Sequence, residues 1–179
     1  MAMPITVPRY TIADLAHFPD DGNRYELLDG VLLVTPQAAA PHQIIAGRLQ
    51  HLLAGAVADP GLAHVVGPGE VELQPATHLE PDLLVYPASY PPDTPWSEIQ
   101  DWWLAVEVLS PSSKVYDRDF KRGAYLSLGV REVWIVDRDR HAIEVTTRAG
   151  TTKVTGEMMW RPPAGGPVTI DLSAVFAGL

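Results

Sequence analysis

Residues 102–109 read Trp-Trp-Leu-Ala-Val-Glu-Val-Leu, an almost continuous apolar run broken only by Glu107. Closed by Ser110-Pro111-Ser112-Ser113, it has the length and composition of a strand buried on both faces. Upstream, Asp82 follows Pro81 and opens Leu83-Leu84-Val85-Tyr86, a second strand-like run. Downstream, Asp117 to Leu128 has helical period, with Phe120, Ala124 and Leu128 on one side and Gly129 as its stop. Glu132–Val136 is then another buried strand. Strands and helices intermix, which predicts an α/β or α+β domain with one central sheet.

The flanking sequence fills in this plan. Residues 1–9, with Pro4 and Pro8, predict a loose arm, and Thr11 is placed to cap a short helix through about His17. Asp29-Gly30 between Arg24–Leu28 and Val31–Val34 is a hairpin signal. From Pro41 to about Ala58, Ile44, Ile45, Leu49, Leu52, Leu53, Ala56 and Val57 predict an amphipathic helix ended by Pro60-Gly61. Short strands are expected at Ala63–Val66, Glu70–Gln74 and Ala142–Thr147, with a further edge strand around Lys153–Val154. The stretch 87–97, with Pro87, Pro91, Pro92 and Pro95, reads as an ordered excursion, and Asp171–Phe176 as a last short element. The whole chain is expected to form one domain, with an arm at 1–9, a core at 10–140 and C-terminal strands and tail at 141–179.

Composition narrows the function. The chain has 179 residues, 46% hydrophobic and 20% charged, so it is long enough for its own core and is not disordered. With no cysteine, disulfides, thiolate zinc sites and a Cys nucleophile are excluded. No apolar run approaches the ~18 residues that span a bilayer. The first residues lack a basic segment followed by a long apolar one, so a cytoplasmic, non-membrane protein is expected. A net charge of −9 argues against broad electrostatic attraction to nucleic acid. It leaves room for a site built on carboxylates that recovers positive charge from a divalent metal.

There is no phosphate-binding Gly-rich loop, no GxSxG elbow and no HExxH, and the six histidines have no metal-ligand spacing. What stands out is carboxylates in apolar strands, Asp82 and Glu107. An ionised carboxylate there costs several kcal/mol unless it is paired with a cation or bound to metal. Oxygen ligands alone select Mg²⁺ or Mn²⁺ over zinc.

The ordered set Tyr25-Glu26-Leu27-Leu28-Asp29-Gly30, Pro41-His42, Pro81-Asp82, Glu107-Val108-Leu109-Ser110-Pro111-Ser112, Asp117 through Lys121 to Tyr125, and Gly129 to Asp137 resembles the Uma2 family. These are restriction-endonuclease-like proteins of the PD-(D/E)XK nuclease superfamily. The resemblance covers roughly residues 10–140, with a tail at 171–176. It implies a central mixed β-sheet flanked by helices. Asp82, Glu107 and the backbone carbonyl of Val108 would hold Mg²⁺ or Mn²⁺, and water activated there would attack a phosphodiester of nucleic acid, by expectation DNA. Glu26 matches the family's additional acid. The superfamily pattern puts Lys two positions after the second acid, where this chain has Leu109. Lys121 is the expected substitute, because it lies on the predicted helix where Uma2-like sequences carry this lysine; Asp117, Lys121 and Tyr125, spaced by four, share a face of that helix, and Lys114 is the rival. His42 is expected to touch substrate phosphate, support Glu26 or cap the long helix. Arg24 and Arg122 are read as surface residues, Trp102, Trp103 and Trp134 as core, and Trp96 as a candidate base-stacking residue. A homodimer is expected because such nucleases pair to cut two strands.

Two other readings stay open. A degenerate nuclease fold could serve as a binding module without enzymatic activity, which the Leu109 departure favours. A metal-dependent hydrolase of small phosphate esters or nucleotides fits the lack of a basic stripe.

Overall fold

The computed structural model describes residues 7–110 and 116–179. Along the chain, α1 (Ile12–Leu15) leads into β1 (Asn23–Leu28) and β2 (Val31–Pro36). Next come α2 (Ala40–Leu53), β3 (Ala63–Val66), β4 (Val71–Leu73), β5 (Thr77–Leu79), β6 (Leu83–Pro87) and β7 (Leu104–Val108). After α3 (Arg122–Leu128) follow β8 (Glu132–Asp137), β9 (Ala142–Thr147), β10 (Gly150–Thr155), β11 (Glu157–Trp160), β12 (Val168–Asp171) and α4 (Leu172–Val175).

Two sheets carry the architecture. In the larger, of order β10-β9-β8-β7-β6-β3, β7 and β8 run parallel while the other neighbours are antiparallel. A parallel pair needs a crossover, and the helical segment ending in α3 supplies it. The smaller sheet has the order β2-β1-β5-β4. Its β1–β2 hairpin turns at Asp29 and Gly30, both at positive φ (50° and 78°), as a two-residue loop requires. Any side chain at residue 30 would also crowd the chain behind it, since a Cβ would lie 3.1 Å from the Tyr10 carbonyl oxygen. The short hairpin β11–β12 closes the tail.

The core lies on both faces of the larger sheet. On one face Leu83, Val85, Leu104, Val106 and Val136 meet the α2 residues Ile45, Leu49 and Leu53, together with Trp160 and α4. Trp134 and Trp160 pack edge to face there, 5.8 Å apart. On the other face Leu84, Ala105, Val133 and Ile135 meet Tyr125, with Val71 and Leu79 of the smaller sheet. Trp102 and Trp103 are buried as expected, one on each face.

Several expectations need correction. In α2 the buried stripe is Ile45, Leu49 and Leu53, continued by Val57 within the π-turn at Ala54–Ala58; Ile44 and Leu52 are exposed. Spacing of four selects this stripe, which is narrower than the apolar set. The expected apolar side of helix 117–128 is also misplaced. Phe120 is exposed, while Lys121 and Tyr125 are buried, because polar groups of the site lie beneath the helix. Its first part, Tyr116–Lys121, is a π-turn. The three-residue β5 and the tail strands β11 and β12 were not anticipated. The expectations for Lys114 and for the Asp117 side chain fall outside the described residues. Trp96 packs edge to face on Tyr86, 5.9 Å away, and is partly buried, so core packing rather than base stacking accounts for it.

At the end of β8, Asp137 is buried and accepts hydrogen bonds from Arg118 (3.0 Å) and Arg140 (2.9 Å). Burial favours the neutral acid, but the two guanidiniums outweigh it and hold the carboxyl below its usual range. A lowered folded-state pKa gives stability that is fully present above the unfolded value, about 3.9, and is lost as pH falls through the folded one. Asp137→Asn should therefore cost about 1–2 kcal/mol at neutral pH. In thermal melts between pH 7 and pH 2, the difference from wild type should shrink on acidification.

Candidate active site

The two carboxylates embedded in strands meet where β6 and β7 run side by side, with Leu83 opposite Val106. Asp82 sits just ahead of β6 and Glu107 lies within β7. Glu107 alternates with Val106 and Val108 and so shares the sheet face of Ala105, the face covered by the helix carrying Lys121 and Tyr125. Residue 67 must be glycine for Asp82 to stand where it does. A Cβ there would fall 2.6 Å from the Asp82 carbonyl oxygen.

Asp82 meets donors from three directions. His42 Nε2 lies 2.9 Å from Oδ2, the Val108 N–H donates to the same oxygen at 2.8 Å, and an Arg24 nitrogen lies 3.3 Å from Oδ1. Burial opposes ionisation of Asp82, but His42, Arg24 and the Val108 amide overcome it and hold the carboxyl below the ordinary range. His42 thus supports Asp82, not Glu26. Its Nδ1 is buried with no hydrogen-bond partner among the described residues.

Glu26, Lys121, Glu107 and Tyr125 form a second, drier cluster. All four are at most 2% exposed. Lys121 Nζ stands 2.6 Å from Glu26 Oε2 and 3.4 Å from Glu107 Oε1. The other Glu26 oxygen accepts the Glu80 N–H at 2.8 Å, and the Tyr125 hydroxyl donates to Glu107 Oε1 at 2.6 Å. Tyr125 fixes the rotamer of Glu107 without charge of its own. Tyr125→Phe removes this buried hydrogen bond and leaves the Lys121 contact, so it should keep the fold and cost about 1–2 kcal/mol of stability. A thermal melt beside wild type would check this, and an unchanged Tm would sink it.

Glu80, Asp82, Glu107, Lys121, Arg24 and His42 all line one cleft of about 760 Å³. Arg24, read from sequence as a surface residue, is part of this site. It bonds the Glu80 carbonyl at 2.9 Å and pairs with Glu80 and Asp82. Arg122 instead pairs with Glu144 at 2.9 Å. Glu80 and His78 were also missed. Their signal was the alternation His78-Leu79-Glu80, which puts both on one strand face. Four carboxylates, Glu26, Glu80, Asp82 and Glu107, meet two basic side chains, Lys121 and Arg24. An oxygen donor set with negative charge in excess fits a hard divalent cation.

The parallel β7–β8 pair with its antiparallel neighbours thus sets two buried acids, Glu26 and Glu107, against Lys121 at the start of α3. The family model Uma2, described as "Putative restriction endonuclease", matches residues 12–178, and the chain belongs to that family. The match extends through the C-terminal strands, beyond the 10–140 expected from the motifs. The fold is also that of a solved structure described as "a putative nuclease belonging to DUF820 from Anabaena variabilis ATCC 29413". The TM-score is 0.73 at 17% identity, covering 94% of this chain and 98% of that one. No curated protein matches. Among the described residues, no helix is long and apolar enough to cross a membrane.

Proposed function

We propose that the protein is a divalent-metal-dependent endonuclease that hydrolyses phosphodiester bonds in DNA. One observation carries the reading: Asp82 and Glu107 come from adjacent strands to the wall of one cleft, with Lys121 buried against Glu107 and Glu26. Membership of a nuclease family supports it. Asp82 and Glu107 are the protein's metal ligands in this reading. The Val108 carbonyl joins them, because an extended residue directs its N–H and C=O to the same strand edge and the Val108 N–H faces Asp82. Mg²⁺ or Mn²⁺ bound there supplies Lewis-acid stabilisation of phosphate charge and a more acidic water.

The chain's own groups do the rest. Lys121 sets a positive charge at the inner end of the cleft, where a non-bridging phosphate oxygen gains charge in the transition state. Glu26 holds that ammonium in place, and Tyr125 holds Glu107. Arg24, already turned into the cleft, offers guanidinium N–H groups to a backbone phosphate and screens the repulsion between DNA and an acidic protein. His42 orients Asp82.

The test is incubation of the protein with supercoiled plasmid in Mg²⁺, Mn²⁺ or EDTA. Nicking or linearisation with metal and none in EDTA is the expected result. Turnover of a small phosphodiester such as bis(p-nitrophenyl) phosphate with the plasmid left intact would replace DNA with small substrates. Inactivity on both would remove the enzymatic reading.

A further inference from the structure

On the wall of the smaller sheet, one face of the β4–β5 ladder gathers ligand-type side chains that no step above uses. Glu70 lies just ahead of β4, two residues before Glu72, and His78 is the direct cross-strand partner of Glu72. His78 Nδ1 stands 3.1 Å from Glu72 Oε1 and 3.9 Å from Glu70 Oε2, and one donor atom from each residue lies within 4.8 Å of the others. On its far side, His78 Nε2 is 3.3 Å from Glu80 Oε1. Donors about 2.0–2.2 Å from a metal are roughly 3–4 Å from one another, so this spacing needs little adjustment.

Three further observations point to a cation. The His78 side chain is nine-tenths buried, with a carboxylate on each ring nitrogen. Among the described residues, Glu70 and Glu72 both face the His78 ring, and neither carboxylate pairs with a lysine or arginine. Finally, His78 lines the large cleft, which gives an ion a way in.

We propose that Glu70, Glu72 and His78 form a second metal site, selective for a borderline divalent cation such as Zn²⁺ over Mg²⁺ because it combines an imidazole with carboxylates. It differs in chemistry from the all-oxygen set at Asp82 and Glu107 and stands whether or not those residues bind metal. The bound ion clamps β4 to β5 along the cleft wall. It also abuts Glu80, whose carboxylate pairs with Arg24.

Zn²⁺ titration calorimetry in excess Mg²⁺, on wild type, Asp82→Asn, His78→Gln and Glu70→Gln, tests this. One Zn²⁺ per chain is expected in wild type and in Asp82→Asn, with a rise in Tm on binding. Affinity should fall at least about tenfold in Glu70→Gln and about a hundredfold or more in His78→Gln. Glu70 is one-third exposed, so its variant keeps the test open if His78→Gln misfolds. Absence of saturable Zn²⁺ binding in wild type, or wild-type affinity in Glu70→Gln and a folded His78→Gln, overturns the site. Loss of Zn²⁺ in Asp82→Asn would move the ion to the catalytic carboxylates and equally overturn it, whereas failure of plasmid cleavage alone bears only on the nuclease reading.

Discussion

Asp82→Asn is expected to lower metal-dependent plasmid cleavage by about 10³-fold or more, some 4 kcal/mol of transition-state stabilisation, and to abolish Mg²⁺ or Mn²⁺ binding at the cleft. Asn is chosen over Ala for a structural reason. Its side-chain oxygen can still accept the Val108 N–H, so the amide that ties β7 to this position is not orphaned. What disappears is the negative charge. Among the described residues Arg24 then keeps Glu80 as its one ion-pair partner, so a modest loss of stability accompanies the large loss of activity. Calorimetry with Mn²⁺ separates the two effects: a folded variant that neither binds metal nor cuts supports the assignment. A folded variant that cuts plasmid at near the wild-type rate would remove Asp82 from the chemistry.

The sequence made the centre of this site legible and hid its periphery, for a physical reason. Asp82 and Glu107 stood out because a charge inside an apolar run is expensive, and expense marks function or pairing. Lys121 emerged from spacing by four, joined to a family resemblance. Arg24 carries no such mark. It lies in a hairpin strand, and only the pairing of β1 with β5, which leads into the residues before β6, brings it to Asp82. His42 was singled out without its partner, Asp82, since a helix N-terminus fixes where a residue sits and not which strand it faces. The fold shows the same division. Long buried strands and the Asp29-Gly30 hairpin could be read from local pattern. The three-residue β5 could not, because it is a strand only by virtue of its neighbours β1 and β4. Phe120 and Lys121 exchanged their expected places because hydrophobic periodicity assumes that what a helix covers is apolar. Here it covers Glu26 and Glu107.

That exchange leads to the second large effect, Lys121→Met. The side chain is 1% exposed, and its ammonium stands between two carboxylates that are 0% and 2% exposed. Burying three charges is unfavourable on its own terms, and the cluster survives because each charge is answered by another. Methionine fills the stem's space and removes the answer. The variant should lose about 3–5 kcal/mol, which for a chain of this size lowers Tm by roughly 10 °C, and its cleavage should fall with that of Asp82→Asn. Stability and catalysis can be separated by a second change. Glu26→Gln on top of Lys121→Met removes one stranded charge while its amide oxygen can still accept the Glu80 N–H. Much of the lost Tm should return without any recovery of cleavage. A single Lys121→Met variant that melts within 2 °C of wild type, as an estimate on the same scale, would mean that Glu26 and Glu107 do not depend on the ammonium. The lysine would then have to act on substrate alone.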